Sequence, residues 1–100
     1  MRPLELRPEA AADIEQAALW YEEKRTGCGS EFLSAVSEAL ELIQDHPEGF
    51  PRVYRGLRRV LLRRFPYGIY YRSSSVGTVV LACMHGRRAP RRWMTRLLAR

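Results

Sequence analysis

Thr78-Val79-Val80-Leu81-Ala82-Cys83-Met84 is a run of seven residues with one hydroxyl and no charge. It opens with three β-branched side chains and is far too short to cross a membrane. A run of this length and kind is expected to be a strand buried on both faces, at the centre of a sheet. Its partners lie just upstream. Ser73-Ser74-Ser75 with Gly77 reads as a hairpin loop, and Ile69-Tyr70-Tyr71 as the strand that enters it. Phe65-Pro66-Tyr67-Gly68 marks a turn or bulge, because Pro66 has no N–H to give to a ladder. Before it, the segment from Leu57 to Arg64 mixes arginine with Val60, Leu61 and Leu62 and reads as a further strand.

The first half of the chain has a different period. Pro8 suits the first turn of a helix, with Glu9, Asp13 and Glu15 near its positive end and Lys24 and Arg25 near its negative end. Ile14, Ala18 and Tyr21 recur at helical spacing, with Ala11 and Ala17 widening the stripe. Gly27 is expected to end this helix. Thr26-Gly27-Cys28-Gly29 is a tight connection, so the next helix returns antiparallel. Ser30 is its expected N-cap, and Leu33, Val36, Leu40 and Ile43 its buried stripe, with Phe32 and Ala39 alongside. His46-Pro47 stops it, since the residue before proline is biased away from the helical region. Leu4 and Leu6 around Glu5 suggest a brief initial strand. Pro90 is placed to start a short terminal helix, with Trp93, Leu97 and Leu98 folding back.

Strand, helix, helix, strand, strand, strand is the order of an α+β fold: a β-α-α-β-β-β antiparallel sheet packed against a two-helix hairpin, with a short C-terminal helix in addition. One hundred residues suffice for one domain, residues 1–100, with one core. No run of about 18 apolar residues is present, and no secretory leader pattern, so a cytoplasmic protein away from the membrane is expected. Cys28 and Cys83 match no metal-ligand spacing and read as two free thiols. Neither a metal site nor a cofactor is expected.

Charge divides the chain. All eleven acidic residues lie at or before Glu48, and from Arg52 onward there are thirteen arginines and no carboxylate side chain. Residues 1–51 carry a net charge of −7 and residues 52–100 carry +13. Such a split speaks of an anionic partner: nucleic acid, an acidic protein segment, or the chain's own acidic helices. Arg58, Arg59, Arg63 and Arg64 are as well explained by a solvated strand face paired with helix acids as by anion recognition. Arg87, Arg88, Arg91 and Arg92, four arginines within six residues, repel one another and are the strongest candidates for partner contact. Structural roles are expected for His46 at the helix end, for Trp20 and Tyr21 in packing, and for Tyr67, Tyr70 and Tyr71 as cross-strand neighbours, at least one of them facing outward.

Several local motifs stand in a definite order: Ala18-Leu19-Trp20-Tyr21, Gly29-Ser30-Glu31-Phe32-Leu33, His46-Pro47 with Phe50-Pro51, Arg63-Arg64-Phe65-Pro66-Tyr67 running into Ile69-Tyr70-Tyr71, and His85-Gly86-Arg87-Arg88-Ala89-Pro90 before Trp93. In that order, over roughly residues 4–93, the chain resembles the RelE/ParE superfamily of bacterial toxins from type II toxin–antitoxin modules, and its ParE-like branch in particular. The resemblance implies a protein that poisons its own cell unless a cognate antitoxin wraps it and assembles with it into oligomers. ParE-like members trap DNA gyrase and have no accepted catalytic residues. RelE-like members cleave messenger RNA on the ribosome.

Ribonuclease chemistry without a metal needs a base, cations for the phosphorane and an acid. The candidates are His85, Arg87, Arg63 and Arg64, although a structural role for His85 at a turn competes. Several features depart from the nuclease pattern. Where RelE-like nucleases have an arginine after the tyrosine that opens the third strand, Tyr67 is followed by Gly68. Trp93 stands roughly where some carry a terminal tyrosine. The only acid in the loop before the second strand is Glu48. The sequence therefore favours a binder whose contacts are Arg58, Arg63, Arg64, Arg87, Arg88, Arg91, Arg92 and Trp93. An mRNA endonuclease and a non-toxic degenerate binding module are the alternatives.

Overall fold

The computed structural model describes residues 3–86. Arg87, Arg88, Arg91, Arg92 and Trp93, and the expected terminal helix with Leu97 and Leu98, lie outside the described residues. The elements are β1 (Leu4–Leu6), α1 (Pro8–Lys24), α2 (Cys28–Asp45), β2 (Arg52–Tyr54), β3 (Leu57–Leu61), β4 (Tyr67–Ser74) and β5 (Gly77–His85). They form the expected α+β architecture, with one sheet in the order β1-β5-β4-β3-β2. The β2–β3, β3–β4 and β4–β5 pairs are antiparallel, whereas β1 joins β5 in parallel and makes the sheet mixed.

Burial of the 78–84 run on both faces has a specific cause. Tyr70 pairs with Ala82 and Tyr71 with Val80, so Leu81 is an extra residue in β5, a β-bulge. The bulge places Leu81 and Ala82 on the same face, away from the helices, in a cluster with Leu57, Tyr70 and Met84. Val80 and Cys83 point the other way, into the core beneath the helices, with Phe32, Ile43, Ile69 and Tyr71. Alternation is broken at the bulge, which is why the run reads as continuously apolar. β5 is not the middle strand, however. β4 is central, and β1 covers only the first part of β5. Past β1, the Cys83 N–H of β5 is taken by the Asp13 carboxylate of α1 at 3.0 Å.

The helix junction corrects two expectations. α1 already ends at Lys24, and α2 starts at Cys28, so Ser30 lies inside its first turn rather than capping it. Gly27 is the residue before α2 and has φ 91°, a left-handed conformation that suits glycine. The exposed N–H groups at the start of α2 are capped from the other helix. Both Glu22 carboxylate oxygens accept from Gly27 N–H, at 3.0 and 3.1 Å, and Oε1 also accepts from Gly29 N–H at 3.0 Å. These backbone donors hold the Glu22 carboxyl below the usual carboxylate range. A depressed folded-state pKa stabilises the fold above the unfolded-state value, and the effect is lost as pH falls through the folded-state value. Glu22→Gln is therefore expected to lower the melting temperature at neutral pH and to flatten its decline in acid. Parallel melting curves for the variant and the parent between neutral and acid pH would show that the cap does not act.

Further departures concern the helix surface and the next strands. Leu33, expected in the buried stripe, is 45% exposed, and Leu19 and Trp20 are more open still. β2 was not expected. It is formed by a two-residue hairpin whose central residues, Arg55 and Gly56, have φ 43° and 80°. Both angles suit the primed turns that match strand twist, but the usual Asn or Asp signal is replaced by arginine. β3 ends at Leu61, so Arg63 and Arg64 stand in a loop and not on a strand face. No described helix is long and apolar enough to cross a membrane.

Candidate functional site

The end of the sheet that carries the β3–β4 loop gathers most of the described candidate residues. Three backbone hydrogen bonds fix this loop: Leu62 N–H to Tyr67 carbonyl at 2.9 Å, Tyr67 N–H to Phe65 carbonyl at 2.8 Å, and Gly86 N–H to Pro66 carbonyl at 2.7 Å. Arg64 is held at φ 69°, which is uncommon for a residue with a side chain and persists only where the surroundings determine it. Arg63 and Arg64 are both exposed. The third bond ties the end of β5 to the same loop.

Beneath the loop sits an aromatic cluster that packs against Phe65 and Tyr67. Tyr21 stacks on Phe32 with centroids 5.3 Å apart and meets Phe65 edge-on at 4.9 Å. Phe32 meets Tyr67 edge-on at 5.2 Å. His85 pairs with Tyr67 across the strands and packs edge-on against its ring at 5.3 Å. Trp20 lies at the rim, 52% exposed, with the Lys24 ammonium 4.8 Å from its ring centroid. Packing thus accounts for Tyr21 and Tyr67, and only in part for Trp20. Burial, with Tyr67 and Cys28 adding to it, pushes the Tyr21 hydroxyl upward.

Arg58 belongs to the opposite end. It lies across from Tyr71 on the sheet, and its Nη1 donates to the carbonyls of Phe50 at 2.6 Å and Glu48 at 3.3 Å. The Tyr71 hydroxyl donates to the Pro47 carbonyl at 2.8 Å. Together they strap the α2–β2 loop to the sheet, so the Arg58 guanidinium has a structural task. Arg59 and Gly68 lie on the sheet face away from the helices. A Cβ at Gly68 would come within 3.1–3.2 Å of the Arg59 side chain, so this glycine lets the arginine stem lie across β4.

The arrangement limits the available chemistry. Glu48 lies at the Tyr71 end of β4 and His85 at the Tyr67 end. Four residues of strand put roughly 13 Å between these ends. A base and an acid acting on one phosphate must each lie within hydrogen-bond reach of it, and this placement does not bring Glu48 and His85 together. Cys83 is a poor nucleophile, because burial, reinforced by the Asp13 charge, pushes its thiol up to about 12. Pairing of the second-half arginines with helix acids does not occur among the described residues. The ion pairs found there are Arg7–Glu5 at 3.4 Å and Arg25–Glu31 at 3.0 Å, both within the first half. Glu22, which holds the helices to each other, carries no sequence signal, and Asp13, which holds α1 to β5, reads in the sequence only as an acid near the start of its helix. Their carboxylates meet backbone N–H groups five, seven and seventy residues away, and no local pattern announces that.

No curated protein matches the chain. Among solved structures, it is similar to a chain of a chromosomal ParDE toxin–antitoxin system from P. aeruginosa, with a TM-score of 0.65 and 22% sequence identity. The match covers 85% of this chain and 96% of the other, and at that identity it is a likeness of fold. The family described as ParE toxin of type II toxin-antitoxin system, parDE, matches residues 4–90, which include the helix hairpin, the sheet and the arginine loop together. Over that length the sequence agrees with the fold, and the chain belongs to the ParE toxin family of type II toxin–antitoxin systems.

Proposed function

We propose that this protein inhibits growth by binding a cellular target, DNA gyrase by family likeness, and that a cognate antitoxin neutralises it in the cytoplasm. The observation that carries this reading is the end of the sheet with Arg63 and Arg64 exposed on a fixed loop, with no ion-pair partner among the described residues. In this reading Arg63 and Arg64, continued by Arg87, Arg88, Arg91, Arg92 and Trp93, contact the target. An acidic, amphipathic antitoxin tail covers the same cations by adding a strand or helix. A protein that acts this way needs no base or nucleophile, in keeping with the separation of Glu48 from His85.

One observation favours the nuclease alternative: His85 stands beside the arginine loop. Two measurements separate the readings. Expression without antitoxin is expected to arrest growth, and primer extension on cellular mRNA is expected to find no new cuts. Discrete cuts that disappear in His85→Ala would establish the endonuclease instead. Normal growth on expression would leave a non-toxic binding module.

A further inference from the structure

We infer that the face of the sheet turned away from the helices is the docking site of this chain's own C-terminal segment, seated through Met94, Leu97 and Leu98. That face is drier than an open sheet face can be. Leu57 is fully buried, and Tyr70, Leu81, Ala82 and Met84 are each no more than 7% exposed, although both helices pack on the other side. Among the described residues, the side chains packed against this cluster are Val53, Tyr54 and Val79, all from the same sheet. Neighbours within one layer shield a side chain at its flanks and leave its top to water. Leu61 shows that condition. It alternates with Leu57 onto the same face of β3 and is 62% exposed. A second layer therefore rests on the cluster and stops short of Leu61.

The chain supplies an occupant of the right length and pattern. β5 carries Leu81, Ala82 and Met84, and fourteen residues follow Gly86. In helical order Met94, Leu97 and Leu98 fall on one face, with Trp93 at its margin and Arg92 and Arg96 opposite. That order seats the apolar stripe, keeps the cations in water and leaves Trp93 open to a partner. At 1.5 Å per residue, residues 90–100 reach about 16 Å. From β5 across β4 and β3 to β2 is three strand spacings, about 14 Å. A segment tethered to the end of β5 is also held near the face at high effective concentration. A second copy fits less well, because two such faces meeting would set Arg59 and Arg72 against like charges.

The test uses isotope-labelled full-length protein and through-space NMR contacts. Contacts are expected between the side chains of Met94, Leu97 or Leu98 and those of Leu57, Tyr70, Ala82 or Met84. A mixture of labelled and unlabelled copies, filtered for contacts between copies, is expected to show none of them. Leu97→Asp with Leu98→Asp is expected to abolish the contacts, and Leu97→Met with Leu98→Met, which keeps the stripe apolar, to retain them. Four results would overturn the inference: no such contacts, contacts to Leu19 and Leu33 on the helices in their place, contacts found only between copies, or contacts that survive the two aspartates. None of these bears on gyrase or growth, so failure here is distinct from failure of the proposed function.

Discussion

Phe32→Ala is expected to lower the free energy of unfolding by about 3–5 kcal/mol. Phe32 is fully buried and touches Tyr21, Phe65 and Tyr67. It is the side chain through which α2 meets both the end of α1 and the arginine loop. Alanine removes the ring from between three others that are held by separate elements and cannot close together. A loss of this size is a large part of the about 5–15 kcal/mol that stabilises a small domain. Urea unfolding followed by fluorescence measures it. A change below about 1 kcal/mol would mean that the aromatic cluster does not support the loop that carries Arg63 and Arg64.

Gly29→Ala is expected to destabilise by about 1–3 kcal/mol, against the sign of helix propensity. Gly29 lies in the first turn of α2, where alanine would ordinarily be favoured. Its added Cβ would sit 2.7 Å from the Ala18 carbonyl oxygen and 3.0–3.1 Å from Glu22 atoms. The oxygen belongs to helix backbone and cannot step aside, so the helices must separate or the Glu22 cap must break. A stabilising result would show that the hairpin has slack at its tightest point.

The order of elements was legible because its signals are local. Pro8, His46-Pro47 and the apolar run at 78–84 each declare a start, a stop or a strand. The Gly27-Cys28-Gly29 connection is legible in the sequence but its cap is not, since the cap comes from Glu22 in the preceding helix. β2 has no local signal because Arg55 occupies a turn position usually taken by residues that tolerate positive φ. Leu33 fits the helical period and is nonetheless exposed, because period alone does not say how wide a face the partner covers. For the site, composition pointed to the arginines and could not sort them. Arg58 and Arg64 look alike in sequence. One straps a loop through carbonyl bonds, and the other is displayed at the opposite end of the sheet.

That difference also supports a binding role over catalysis. The exposed guanidinium groups gather where His85 is packed against Tyr67, and Glu48 lies at the far end of the sheet. An assay with purified gyrase, supercoiled plasmid and the purified protein puts this reading to the sharpest test. Added protein is expected to accumulate double-strand cleavage complexes, Arg63→Gln with Arg64→Gln to reduce them, and His85→Ala to leave them nearly unchanged. Unaltered gyrase turnover, together with ribosome-dependent cutting of mRNA that His85→Ala abolishes, would contradict the account.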